Sequence, residues 1–185
     1  MTEFLKERII LGIDPGTTIM GYGIIKGTGN KPMAVDMGVV KMKRLNDPYL
    51  KLQEIFKATT LLIHKYSPDE LAIEAPFYGK NVQSMLKLGR AQGVAIAAAL
   101  QHDIPIFEYA PRKIKMAITG QGAASKEQVA AILKNILSFT SDIKDLDATD
   151  ALAAALCHFY QKSTFSGDNY RGWGDFIKKN PGKTI

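Results

Sequence analysis

Apolar residues change their period several times along the chain, and each change marks an element. The run from Ile9 to Ile13 is continuous and β-branched, and MGYGIIKG and MAVDMGVVKM follow it with turn chemistry at Gly27, Gly29, Asn30 and Pro32. Three sequential strands with short turns predict an antiparallel meander. From Pro48 to Tyr66, Leu52, Ile55, Phe56, Leu62 and Ile63 recur at helical spacing, and Ser67-Pro68 ends that helix. ELAIE, Glu70 to Glu74, is a short strand. Val82 to Leu100 reads as a helix with Val82, Met85, Leu86, Gly89, Gly93, Ile96, Ala97 and Leu100 on one stripe. Its small residues and excess apolar surface fit either a helix packed inside the subunit or a subunit interface. IPIFEY is a fifth strand, PRKIKMAIT a short helix, SKEQVAAILKNIL a helix capped by Ser125, and LDATDALAAALCHFYQ a last helix. The expected fold is α/β, a mixed five-stranded sheet, three antiparallel strands then two parallel, flanked by helices.

Composition narrows this only a little. At 185 residues, with 46% hydrophobic and 23% charged residues, the chain has the balance of one soluble globular domain. Residues 1–162 are expected to form it, with 163–185 a basic, flexible tail whose Tyr170, Trp173 and Phe176 can dock as a small patch. The single cysteine, Cys157, excludes an intrachain disulfide and reads as a buried small hydrophobe. The longest apolar run, Val94 to Leu100, falls far short of the roughly 20 residues that cross a bilayer, so the expectation is a cytoplasmic protein without membrane contact. A net charge of +6 makes a polyanion such as nucleic acid the leading partner.

The candidate chemistry lies in carboxylates at the ends of apolar elements. Asp14 ends the first strand and Glu74 the fourth, and in open α/β sheets the crevice beyond the carboxyl ends of strands is where ligands bind. Asp147 and Asp150 stand at i and i+3 near the start of the last helix and share a face. By themselves they could simply complement the helix dipole; Asp145 reads as a cap or a solvated acid. Four carboxylates from three elements would converge only around a cation, and an all-oxygen site suits Mg²⁺, with Mn²⁺ as a substitute. A positive surface with such a pocket is what metal-dependent hydrolysis of nucleic acid needs. His158, without a second histidine nearby, reads as a helix-surface or packing residue rather than a ligand.

Five stretches, LGIDPGTTIMGYGII, LAIEAPFYGKN, SMLKLGRAQGVAIAAAL, FEYAPRKIKMAITGQG and DATDALAAALCH, resemble in order and spacing the RuvC Holliday junction resolvases, of the ribonuclease H-like fold. The resemblance spans about Ile9 to Gln161. It implies a homodimeric, Mg²⁺-dependent endonuclease that nicks two strands of four-way junction DNA symmetrically, leaving 5′-phosphates and 3′-hydroxyls. Asp14, Glu74, Asp147 and Asp150 match the family's catalytic and metal-binding acids. Phe77 matches its loop aromatic; Lys80, Lys115 and Lys126 are the implied DNA contacts, and helix 82–100 is similar to the dimerisation helix. Branch-migration motor proteins are implied partners. Pro76 holds the loop after Glu74 extended. Phe77 and Tyr78 can instead cover the sheet edge, and Lys115 and Lys126 can be ordinary solvated lysines.

Two rivals remain at this level. GIDPGTT also resembles the phosphate loop of the actin, sugar kinase and chaperone superfamily, which predicts ATP binding; the chain is short for two such lobes. A catalytically silent junction-binding module would have lost one of the acids.

Overall fold

The computed structural model describes residues 7–76, 81–137, 139 and 145–163. Five strands, β1 (Arg8–Asp14), β2 (Ile19–Thr28), β3 (Lys31–Lys41), β4 (Glu70–Glu74) and β5 (Ile106–Tyr109), form one sheet in the order β3-β2-β1-β4-β5. β1, β2 and β3 pair antiparallel, whereas β4 runs parallel to β1 and β5 parallel to β4. The expected mixed sheet is therefore present. The hairpin between β2 and β3 differs in detail: Gly27 and Pro32 are a paired position inside the two strands, and the reversal is confined to Gly29 and Asn30. Gly29, at φ 59°, takes the left-handed conformation the tight turn needs. Pro32 is tolerated because β3 is an edge strand, where a missing N–H leaves no ladder partner unsatisfied.

Among the described residues five helices cover the sheet: α1 (Pro48–Tyr66), α2 (Val82–Leu100), α3 (Pro111–Thr119), α4 (Lys126–Leu137) and α5 (Leu146–Ser163). The stop expected at Ser67 and the cap expected at Ser125 are present, and Asp47 adds a cap the sequence reading did not name. Asp47 Oδ1 accepts the N–H groups of Tyr49 and Leu50 ahead of α1, and Ser67 closes that helix in the left-handed region at φ 46°. Ser125 Oγ accepts the N–H of Gln128 while Gln128 Oε1 accepts the N–H of Ser125, a reciprocal cap that fixes the start of α4.

Alternation along the strands divides the core in two. Leu11, Ile13, Leu71 and Ile73 face α1 and α2; Ile10 and Ala72 face α3, α4 and α5. By the same parity Asp14 and Glu74 project to the α5 side. Helix α5 is buried on every side from Ala151 to Phe159, as a central helix must be. It reaches the sheet through glycines: a Cβ added at Gly12 would lie 2.0 Å from the Ala151 carbonyl oxygen, and one at Gly21 would lie 2.0 Å from that of Asp147. Main chain therefore touches main chain, and Gly21 is the register partner of Asp14.

A buried polar chain ties α5 to the strands near the other end of β4. His158 shares hydrogen bonds with Tyr109 Oη at 2.6 Å and Glu70 Oε2 at 2.9 Å, Arg8 pairs with the same Glu70 oxygen at 2.6 Å, and Phe107 stacks on the imidazole. His158 thus fills the packing role read from the sequence. Cys157 is buried, as expected, and its Sγ accepts a hydrogen bond from Gln161. The last helix runs one residue past the expected domain edge at 162, to Ser163; the tail from 164 onward lies outside the described residues.

Candidate active site

Asp14 and Glu74 stand one residue beyond the paired Ile13 and Ile73, on neighbouring parallel strands and at one rim of the sheet. Helix α5 begins above this rim, so its first two turns deliver Asp147 and Asp150. Asp14, Asp147 and Asp150 each present a carboxylate oxygen, all within 4.8 Å of one another. Glu74 is not part of this tight group, but it lines the same cleft of about 490 Å³ with Asp14, Asp150, Arg112, Lys115 and Lys126. The four acids expected from the sequence are thus gathered at one rim: Asp14, Asp147 and Asp150 close together, and Glu74 alongside Asp14 and Asp150 in the cleft. Asp145 is turned away, its carboxylate 3.3 Å from Lys41 Nζ.

The electrostatics are those of an anionic cluster short of positive charge. Burial, then the charges of Glu74 and Asp150, pushes the Asp14 carboxyl up to about 8; burial, then Asp150, pushes Glu74 up to about 7. Lys126 offsets part of this. Its Nζ lies 2.5 Å from Asp150 Oδ2 and 3.2 Å from Asp147 Oδ1. Partial burial works against its charge, but the bonds and charges of Asp150 and Asp147 prevail and raise its pKa. The lysine expected to contact DNA is here committed to the acids. Lys115 makes no side-chain ion pair among the described residues, and its charge lowers the Glu74 pKa. Phe77 and Lys80, the other expected DNA contacts, lie outside the described residues.

Arg112 was not read from the sequence as a site residue. The available signal was its position three residues before Lys115, which places both on one face of α3 directly after β5.

The all-carboxylate donor set fits a hard divalent cation, whose ligands are oxygens. Among the described residues no soft-metal ligand lines the cleft, and the raised pKa values of Asp14 and Glu74 mark negative charge that a cation would relieve. Unfolded, these two carboxyls ionise near 3.8 and 4.5; folded, they hold their protons to about 8 and 7. The folded state binds more protons in between, so their contribution to stability falls as pH rises through that window. In EDTA the thermal midpoint is expected to drop between about pH 5 and pH 8.5, and Mg²⁺ or Mn²⁺ should restore most of the loss at the upper end. Calorimetry at stepped pH, with and without metal, checks this. A midpoint that is flat or rising in EDTA would contradict the assigned carboxyls.

A mixed sheet of this order, with helix-borne and strand-borne carboxylates meeting at the β1 and β4 rim, defines a nuclease of the ribonuclease H-like class. Residues 10–158 match the family described as crossover junction endodeoxyribonuclease RuvC. The chain is 59% identical over 184 residues to the crossover junction endodeoxyribonuclease RuvC of Bacteroides fragilis, covering 98% of each protein. It is 60% identical to that of Christiangramia forsetii, over 96% of this chain and 93% of the relative. Among solved structures, T. thermophilus RuvC in complex with a Holliday junction substrate superposes with a TM-score of 0.79 at 29% identity, over 85% of this chain and 96% of the other. The chain belongs to the RuvC family of crossover junction endodeoxyribonucleases. Membership in that family removes the ATP-binding phosphate-loop reading.

Proposed function

We propose that this protein resolves four-way DNA junctions by hydrolysing a phosphodiester in each of two opposed strands. The observation that carries the reading is the convergence of Asp14, Asp147 and Asp150 within 4.8 Å, beside Glu74, in a cleft that also holds Lys115 and Arg112. In this reading the four carboxylates are the catalytic and metal-holding groups, and Mg²⁺, replaceable by Mn²⁺, is the ion. When bound, the ion supplies the positive charge that activates a water and stabilises the leaving oxygen of an in-line displacement. Lys126 holds one oxygen of Asp147 and one of Asp150, so an ion held by these acids would use their second oxygens or compete with the lysine. Lys115 balances the negative rim and faces the backbone, with Lys126, Phe77 and Lys80 completing the DNA contacts.

The test is a synthetic four-way junction and its matching linear duplex, each with Mg²⁺ or EDTA. Paired, Mg²⁺-dependent nicks confined to the junction support the reading. Tight junction binding without cleavage would leave the silent module in its place.

A second copy of the chain completes the proposal. α2 packs within the subunit through Ala91, Gln92, Ala95, Ala98 and Ala99, whereas Val82, Leu86 and Leu100 are 63%, 57% and 59% exposed. A Cβ added at Gly89 or Gly93 meets nothing within 4 Å. The glycine stripe therefore does not serve packing inside the described subunit, and it suits close approach of a two-fold related α2, which matches paired nicks. Gly93→Leu is the discriminating variant. Within one chain it has room and replaces a poor helix former, so it should stabilise by about 0.5–1 kcal/mol. Against a second copy it would clash, and sedimentation should show monomers that no longer nick in pairs. A stable dimer with unchanged paired nicking would rule this interface out.

Among the described residues no helix is long and apolar enough to cross a membrane. A cytoplasmic setting, motor proteins for branch migration as partners, and a nuclease domain over residues 1–162 followed by a basic tail belong to the same proposal.

A further inference from the structure

Arg112 is the second residue of α3 and lines the acidic cleft, yet its guanidinium makes no hydrogen bond or ion pair with any described residue. Lys126, in the same cleft, is held by two acids. An arginine beside carboxylates would ordinarily be drawn into a forked ion pair with one of them. Its side chain is instead seated on Gly122. A Cβ added there would lie 2.6 Å from Arg112 Cγ, 3.1 Å from its Nε and 3.3 Å from its carbonyl oxygen. The loop after α3 thus leaves out one methyl group where the arginine stem passes. Lys115 follows on the same face one turn later, and the first turn of α3 contains no acid to neutralise the positive helix end.

We infer that Arg112, seated by Gly122 and paired with Lys115, grips a backbone phosphate of the DNA at the mouth of the carboxylate cleft. This rests on the resolvase reading and adds to it a substrate-binding residue with a defined geometry. The planar fork donates two parallel N–H bonds to phosphate oxygens, which a lysine ammonium does not reproduce. Free of the acids, it meets the phosphate without first breaking an ion pair, and it holds the strand against the rim where Asp14 and Glu74 stand.

The experiment uses the full chain with Arg112→Gln, Arg112→Lys and Gly122→Ala. Junction binding is followed against salt concentration in EDTA, and single-turnover cleavage in Mg²⁺. One phosphate contact contributes about 0.9 to the salt slope, so Arg112→Gln should lower the slope by about one and slow cleavage by roughly 10-fold or more. Arg112→Lys should keep the slope but cleave slowly, because charge survives and the fork does not. Gly122→Ala should do the same with the arginine still present. A slope and rate for Arg112→Gln within twofold of wild type would overturn the proposal and leave the resolvase reading standing. A lowered thermal midpoint with unchanged slope would also overturn it, showing a stem that only packs. Failure of the wild-type protein to bind or cut the junction would overturn the resolvase reading, and this proposal with it.

Discussion

Asp14→Asn is expected to lower junction cleavage by about 10³-fold or more, the rate equivalent of ~4 kcal/mol, while junction affinity in EDTA stays within about threefold. The same variant should be more stable than wild type in the absence of metal. Asp14 is half-buried among Glu74, Asp147 and Asp150, and both its burial and their charges disfavour its ionised form. Asparagine keeps the shape and removes that penalty, so the midpoint in EDTA at about pH 8 should rise by several degrees, at about 2–4 °C per kcal/mol. Added Mg²⁺ should then raise it less than in wild type. Loss of activity with a gain in stability is the signature of a group retained for a ligand rather than for the fold. A variant that is inactive and also less stable in EDTA would show Asp14 to be structural.

Gly21→Ala is expected to be as damaging by a different route. The new methyl would sit 2.0 Å from the Asp147 carbonyl oxygen and 2.6 Å from its carbon. Both are main-chain atoms, so no side chain can swing aside and α5 must lift from β2. Overpacking of this kind costs about 1–3 kcal/mol, and the thermal midpoint should fall by roughly 2–12 °C. The larger effect falls on the site, because the displaced turn carries Asp147 itself. Metal binding followed calorimetrically should weaken by at least about tenfold, although no ligand has been changed. Gly21→Ala with wild-type metal affinity would mean that the helix start is held by something other than its contact with β2.

Most of the architecture could be read from local pattern. The bounds of α1, α2 and α3 follow from period, proline and capping residues, all of which act within a few positions of one another. Asp14 and Glu74 were legible for the same reason, since each closes an apolar strand. What could not be read was the relation between elements. The sequence places Lys126 on a helix start, but only the fold brings its ammonium to Asp150 and Asp147. It places Gly89 and Gly93 on α2 without saying whether they face α1 or outward; the alanine face turned out to pack inward. Arg112 escaped notice because its significance depends on Gly122, ten residues away across a loop. The reversal at Gly29 and Asn30 was blurred because Gly27 and Pro32, both turn formers, are used inside strands, Gly27 in β2 and Pro32 on the edge strand β3.

The seating of α5 on Gly12 and Gly21 means that durability and competence can part company in this protein. Ala151 to Phe159 would remain buried after a shift of a few tenths of an ångström, since an apolar interior regains much of its contact by small adjustments elsewhere. Oxygen ligands to a small divalent ion, held at about 2.0–2.1 Å, have no such latitude. A library of variants ranked by heat resistance would therefore keep many that no longer cut, whereas one ranked by the rise in melting temperature on adding metal would select the geometry itself.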